Sequence, residues 1–176
     1  MSEQPITAVY PGSFDPLHLG HVDIIHRACA IFPRVVVAVL ENTEKQPLIS
    51  TVDRVRLIHE TFGGVSGVEV TSFTGLLVDF MKQAGARVVL RGMRAVSDFE
   101  YEFQLALMNR RLWNVVETVF LTPNEESIYL SSRIIKEVWA LGGNVSGLVP
   151  EPVRRELELL RVAKGATRPY PMAYRQ

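Results

Sequence analysis

Residues 6 to 21 read "ITAVYPGSFDPLHLGH": an apolar, β-branched run, then a turn holding two prolines, two glycines and two histidines. An amphipathic segment follows, with Val22, Ile25, Cys29 and Phe32 recurring at intervals of three and four. A continuous apolar run that bends into a helical period is a strand-turn-helix unit. Similar apolar runs stand at residues 35–40, 68–73, 87–90 and 118–121. They show little polar alternation, which predicts strands covered on both faces, as in a parallel sheet.

The segments between the runs have helical spacing. Val52, Val55, Ile58 and Phe62 follow Ser50, a natural N-cap, and Leu76 to Ala84 ends at Gly85, which suits a C′ position. Phe99, Phe103, Leu107 and Leu112 mark a longer helix after Ser97, with Glu100 completing a capping box. From Ser131 onward the chain is helical through "SSRIIKEVWAL" and "PEPVRRELELL". The predicted fold is α/β: a single-domain, doubly wound parallel sheet with right-handed crossovers and a helical C-terminal part. The domain is expected to span residues 1–162. Residues 163–176 have no period and two prolines, and read as a tail or as an arm against a neighbouring subunit.

Composition narrows the function classes. The 176 residues are 47% hydrophobic and 22% charged, with a formal net charge of zero, as in an ordinary globular domain. A balanced charge argues against nucleic acid or an anionic membrane as partner, so any anion site must be local. Cys29 is the sole cysteine, which excludes an intramolecular disulfide and a cysteine-based zinc site; on its apolar face it reads as packing. The start "MSEQPITAVY" lacks a signal-peptide pattern, and no apolar stretch reaches membrane-spanning length. A cytoplasmic protein is expected.

The first strand-to-helix turn of an open parallel sheet is a favoured ligand site. Here the helix beginning near Gly20 offers unpaired N–H groups and a positive dipole end, which suit a phosphate. Gly12 and Gly20 let backbone approach a ligand, and His18 and His21 add donors. The two histidines could instead hold a metal, though no third ligand of suitable spacing accompanies them, or be plain surface residues. The chain contains no G-x-x-x-x-G-K-[ST], this turn is not G-x-G-x-x-G, and Ser13 lies in no G-x-S-x-G. A P-loop kinase, a dinucleotide hydride-transfer enzyme and a serine hydrolase are thereby disfavoured.

"GSFDPLHLGH" resembles the H-x-G-H signature of the nucleotidyltransferase superfamily. "RGMRAVSDFEYEFQLALMNR", residues 91 to 110, closely resembles the R-G-x-R-x-x-x-D-x-E-x-E block of the bacterial phosphopantetheine adenylyltransferases, and the order of elements is similar to that family from about residue 5 to residue 160. The resemblance implies a Rossmann-like nucleotidyltransferase fold. It also implies a reaction joining ATP and 4′-phosphopantetheine to give dephospho-coenzyme A and pyrophosphate, the penultimate step of coenzyme A synthesis.

The same resemblance implies site residues. His21, Lys45 and Arg94 would be catalytic. Ser13, Phe14, His18, His21, Gly92, Met93, Arg94, Glu102 and the run Ser127, Ile128, Tyr129, Leu130, Ser131, Ser132 and Arg133 would bind ATP. Ser13, Lys45, Leu77 and Arg91 would bind the acceptor. Several of these have plainer readings beside the functional one: Lys45 as a solvated loop residue, Leu77 as core, Ser131 and Ser132 as N-caps, Asp98 and Glu100 as helix-orienting acids. Many relatives carry Ser or Thr where Arg133 stands. Mg²⁺ is implied as the companion of ATP with no dedicated protein cage. A homohexamer and feedback inhibition by coenzyme A are implied as well, with no nucleic acid and no membrane as partner.

Overall fold

The computed structural model describes residues 6–41 and 46–163. Its strands are β1 (Thr7–Gly12), β2 (Arg34–Leu40), β3 (Val68–Phe73), β4 (Val88–Gly92) and β5 (Glu117–Leu121). Its helices are α1 (Leu19–Cys29), α2 (Thr51–Phe62), α3 (Leu77–Ala84), α4 (Val96–Leu112), α5 (Ser132–Ala140) and α6 (Glu151–Ala163). All strand pairs are parallel, in the order β3-β2-β1-β4-β5. This is the doubly wound sheet that the alternating pattern predicts.

Successive side chains of the central strands enter two different cores, which is why the strands read as unbroken apolar runs. Ala8, Tyr10, Val35, Val37, Val39 and Leu90 pack with residues of α1, α2, α5 and α6, among them Ile24, Ile58, Ile135 and Leu157. Val9, Val36, Ala38 and Val89 pack on the other face with Val78 and Met81 of α3. Each fully buried branched side chain contributes about 1.5–3 kcal/mol relative to exposure.

The sheet reverses its winding between β1 and β4, and there the ladder is short. These strands pair only at Ala8↔Val88 and Val9↔Val89, whereas β1–β2 pairing continues to Gly12↔Val39 and β4–β5 pairing to Gly92↔Leu121. Beyond Val9 the two central strands therefore part, and a crevice opens at their carboxyl ends. Pro11, which cannot donate to a ladder, lies in that parted stretch.

Most local signals are realised. The Ser50 hydroxyl accepts from Asp53 N, and α3 stops at Gly85 with φ of 63°. Cys29 is half-buried against the core, and burial raises its thiol pKa. Three expectations are corrected. Val52 is 79% exposed, because α2 buries Arg54, Leu57, Ile58 and Phe62 instead. Helix α4 starts at Val96 behind Ala95, so the N-cap position is Ala95, which offers no side-chain cap, and position 97 stands inside the helix rather than at its cap. The α4 residues Phe99, Phe103, Leu107 and Leu112 are all exposed, so nothing among the described residues covers the stripe that reads as a core face. Helix α6 runs to Ala163, and residues 164–176 of the expected tail lie outside the described residues.

Candidate active site

The turn after β1 is held by its own rings. Phe14 takes a positive φ of 47° and buries its side chain, standing edge-on to Tyr10 at 5.4 Å and to His21 at 5.0 Å. His18 is the N-cap of α1: its Nδ1 accepts from His21 N at 3.3 Å, and His21 Nδ1 accepts from His18 N at 3.3 Å. Both Nδ1 atoms are thus acceptors, so each neutral ring carries its proton on Nε2 and presents that N–H as donor. Burial, and then the positive charge of Arg94, push His18 down to about 4. Burial, His18 and Arg94 hold His21 well below the usual histidine value. Both rings are neutral at physiological pH.

The nearby helix start is tightly fitted. A Cβ on Gly20 would stand 3.1 Å from the His18 ring and 3.3 Å from the Ser127 carbonyl, so any side chain there would press the His18 ring and the segment after β5 apart by a few tenths of an ångström. The same segment is tied down by Asp23, which accepts from Asn124 N at 3.0 Å, and by Arg27, which donates to the Thr122 carbonyl.

A cavity of about 260 Å³ opens over this turn. Ser13, His18 and His21 line it from one side, Arg91, Gly92 and Arg94 from another, and Ser127, Ser131 and Ser132 from the third. Arg94 is aimed by Asp98, whose carboxylate accepts from Nε at 3.0 Å and Nη2 at 3.2 Å, while Nη1 donates to the Leu130 carbonyl at 3.0 Å. Ser131 caps α5 by accepting from Ile134 N at 3.1 Å, and the Ser132 hydroxyl donates to the Pro16 carbonyl at 2.9 Å.

A second cavity, of about 590 Å³, lies beside the first and shares Pro11, Gly12, Ser13, Arg91 and Glu102 with it. Its lining combines apolar Phe73, Leu76, Leu77 and Leu105 with polar Asp15, Arg54 and Lys136. Arg91 Nε stands 3.0 Å from Glu102 Oε2 on the wall between the cavities. Burial raises the Glu102 carboxyl pKa, and the Arg91 charge opposes that rise.

Two adjoining cavities at a topological switch, one lined by histidine, arginine and serine donors and one of mixed polar and apolar lining, offer a place where an anionic ligand and a second molecule could meet. The Cytidylyltransferase-like family profile matches residues 9–138. The phosphopantetheine adenylyltransferase of Nitratidesulfovibrio vulgaris is 56% identical over 150 residues, covering 85% of this chain and 81% of its own length. That of Legionella pneumophila is 51% identical over 158 residues, covering 90% and 93%, and that of Geotalea daltonii 52% identical over 151, covering 86% and 94%. The chain belongs to the phosphopantetheine adenylyltransferase family. Among solved structures, a candidate nicotinate-nucleotide adenylyltransferase of Vibrio parahaemolyticus superposes with a TM-score of 0.65 at 15% identity, over 88% of this chain and 99% of its own. A lipopolysaccharide core biosynthesis protein of Thermoplasma volcanium gives 0.53 at 21%, over 69% and 100%. These two likenesses show the fold alone.

In this member of the phosphopantetheine adenylyltransferase family, most predicted site residues converge. Ser13, Phe14, His18, His21, Gly92, Arg94, Glu102, Ser127, Ser131 and Ser132 line the first cavity, Leu77 lines the second, and Ser13, Arg91 and Glu102 line both. Others are not in either lining. Ile128, Tyr129 and Arg133 are exposed, Leu130 is buried and offers its carbonyl to Arg94, and Met93 N donates to the Leu121 carbonyl at 2.9 Å. Lys45 lies outside the described residues. Sequence reading missed Asp15, Arg54 and Lys136. The bonds that join them to one another's segments span 33 to 121 residues, which no local pattern displays.

Proposed function

We propose that the chain transfers the adenylyl group of ATP to 4′-phosphopantetheine, with ATP in the smaller cavity and the acceptor in the larger one. A phosphate oxygen of the acceptor attacks the α-phosphorus, the bond from that phosphorus to the β-phosphate bridging oxygen breaks, and pyrophosphate leaves. The products are dephospho-coenzyme A and pyrophosphate. The attacking oxygen is already anionic, so no strong base is needed. What limits the step is bringing two anions together and meeting the charge that builds at phosphorus, which fixed donors do well in a site shielded from water.

His21 supplies the principal donor, its Nε2–H, and remains neutral and ready across the physiological range. Arg94, aimed by Asp98, and the first turn of α5 with Ser131 and Ser132 receive the remaining phosphates. Arg91 and Ser13 face the acceptor phosphate from the shared lining, and Leu77 borders the pantetheine arm; the family resemblance adds Lys45 as a further phosphate ligand. The single observation that supports this reading most is the pair of cavities sharing Ser13 and Arg91. It lets two substrates meet at one point.

The acids lining these cavities are Asp15 and Glu102. Asp15 is committed to neighbouring donors, while Glu102 Oε2 makes no well-formed hydrogen bond. Among the described residues no group of three or more His, Cys, Asp or Glu could hold a metal. That donor set fits a Mg²⁺ carried chiefly by the triphosphate, with Glu102 as the acid at hand among the described residues. When bound, the ion would neutralise triphosphate charge.

Among the described residues no helix is long and apolar enough to cross a membrane. The family reading adds a cytoplasmic homohexamer inhibited by coenzyme A, and the uncovered α4 stripe supports assembly. Incubation with ATP, Mg²⁺ and 4′-phosphopantetheine, with products identified by mass, tests the reaction. Turnover with nicotinate mononucleotide or glycerol phosphate but not with 4′-phosphopantetheine would refute it.

A further inference from the structure

Asp15 is 5% exposed, and its carboxylate joins three segments. Oδ1 accepts from Ile49 N at 3.0 Å, and Oδ2 accepts from Leu48 N at 3.0 Å and from Lys136 Nζ at 3.1 Å. Arg54, 4% exposed, spans the same junction from α2. Its Nε donates to the Ile49 carbonyl at 3.0 Å, its Nη2 to Thr51 Oγ1 at 2.8 Å, and its Nη1 to the Ser13 carbonyl. A buried carboxylate and a buried guanidinium therefore lock residues 48–51 to the turn that carries Ser13. Gln46 and Pro47, just before the lock, line the larger cavity together with Asp15, Arg54 and Lys136.

We propose that Asp15 and Arg54 are positioning residues that hold the acceptor-side loop in register with the nucleotide turn, so that the acceptor phosphate arrives in line with the α-phosphorus. This rests on the adenylyl-transfer reading. The two sides of the lock are unequally supported. The nucleotide turn has independent anchors in the buried Phe14 ring, the reciprocal His18–His21 cap and the Ser132 hydroxyl on the Pro16 carbonyl. The loop has the buried Ile49 side chain, and its backbone polar groups at Leu48 and Ile49 go to Asp15 and Arg54. Loosening the lock should therefore release the acceptor side and leave the nucleotide side in place. A displaced loop weakens acceptor binding in ground and transition state alike, which raises KM, and misplacement by about 1 Å also slows the reaction.

The test compares Asp15→Asn, Arg54→Lys and Lys136→Met with wild type. Steady-state KM is measured for 4′-phosphopantetheine, and ATP affinity by calorimetry without acceptor. Asp15→Asn keeps the volume but places an amide NH₂ against a donor. Arg54→Lys keeps the charge and loses the fork. Each is expected to raise the acceptor KM roughly ten-fold while ATP affinity stays within about two-fold. Lys136→Met leaves both backbone donors on Asp15 and should change the acceptor KM by less than Asp15→Asn does. An unchanged acceptor KM, or equal losses for ATP and acceptor, overturns the proposal. So does a Lys136→Met enzyme that reproduces the whole Asp15→Asn effect, since the lysine charge would then be the agent. If Asp15→Asn fails to fold, Arg54→Lys decides by the same criteria. Wild type that makes no product from 4′-phosphopantetheine refutes the reading of the reaction and the lock with it; normal wild-type turnover with unaltered variants refutes the lock alone.

Discussion

The imidazoles of His18 and His21 stack with centroids 3.6 Å apart and planes 23° off parallel, each accepting the other's backbone N–H at Nδ1. One pair of side chains thereby starts a helix, fixes two tautomers and lines the smaller cavity. It follows that His18 acts through His21. His18→Asn keeps an N-cap acceptor and should retain most of the turnover, whereas His18→Ala should lose about 1 kcal/mol of stability together with much of the rate. Thermal unfolding and kcat, measured side by side, check this.

His21→Ala removes the donor itself. Turnover should fall roughly 10²-fold or more, with ATP affinity little changed, as expected for a contact made chiefly in the transition state. A kcat close to wild type would remove His21 from the chemistry.

Acid should act on stability through the same rings. His18 moves from the usual 6.5 to about 4 on folding. Its folded pKa is depressed, so its contribution is complete above pH 6.5 and is lost as pH falls from 6.5 towards 4, where the unfolded chain takes up a proton that the folded one refuses. The loss is about 3 kcal/mol for this residue, and His21, shifted in the same direction, adds to it. Denaturant midpoints measured from pH 7.5 to 4.5 should decline steeply below 6.5. Turnover per folded molecule, by contrast, should show no histidine inflection near 6.5.

Asp98→Asn leaves Arg94 in place but removes the carboxylate that grips its Nε and Nη2. The KM for ATP should rise several-fold and that for the acceptor should not. Arg94→Lys should do more, since a point charge cannot replace the fork that reaches both Asp98 and the Leu130 carbonyl.

The α4 stripe makes a prediction about mass. Phe99 and Phe103 stack at 5.4 Å with both rings exposed. Phe103→Glu should lower the mass seen by light scattering without unfolding the sheet. An unchanged mass would show that the stripe is not a subunit contact.

The strands, the caps at Ser50, Gly85 and Ser131, and the histidine turn were legible because each depends on residues close together in the chain. The exposed stripe of α4 was not. Periodicity at Phe99, Phe103, Leu107 and Leu112 shows that an apolar face exists and is silent about what covers it. Asp15 was hidden for a related reason: its donors come from positions 33, 34 and 121 residues away. Val52 was misread because the apolar face, correct at Ile58 and Phe62, was carried on to the start of α2, where Arg54, polar in sequence, takes the buried place.

The wall shared by the two cavities has a consequence for release. With the substrates placed as proposed, the joined product would straddle Ser13 and Arg91 and occupy both compartments at once. It must compete with each substrate separately, and it can depart only when both grips slacken together.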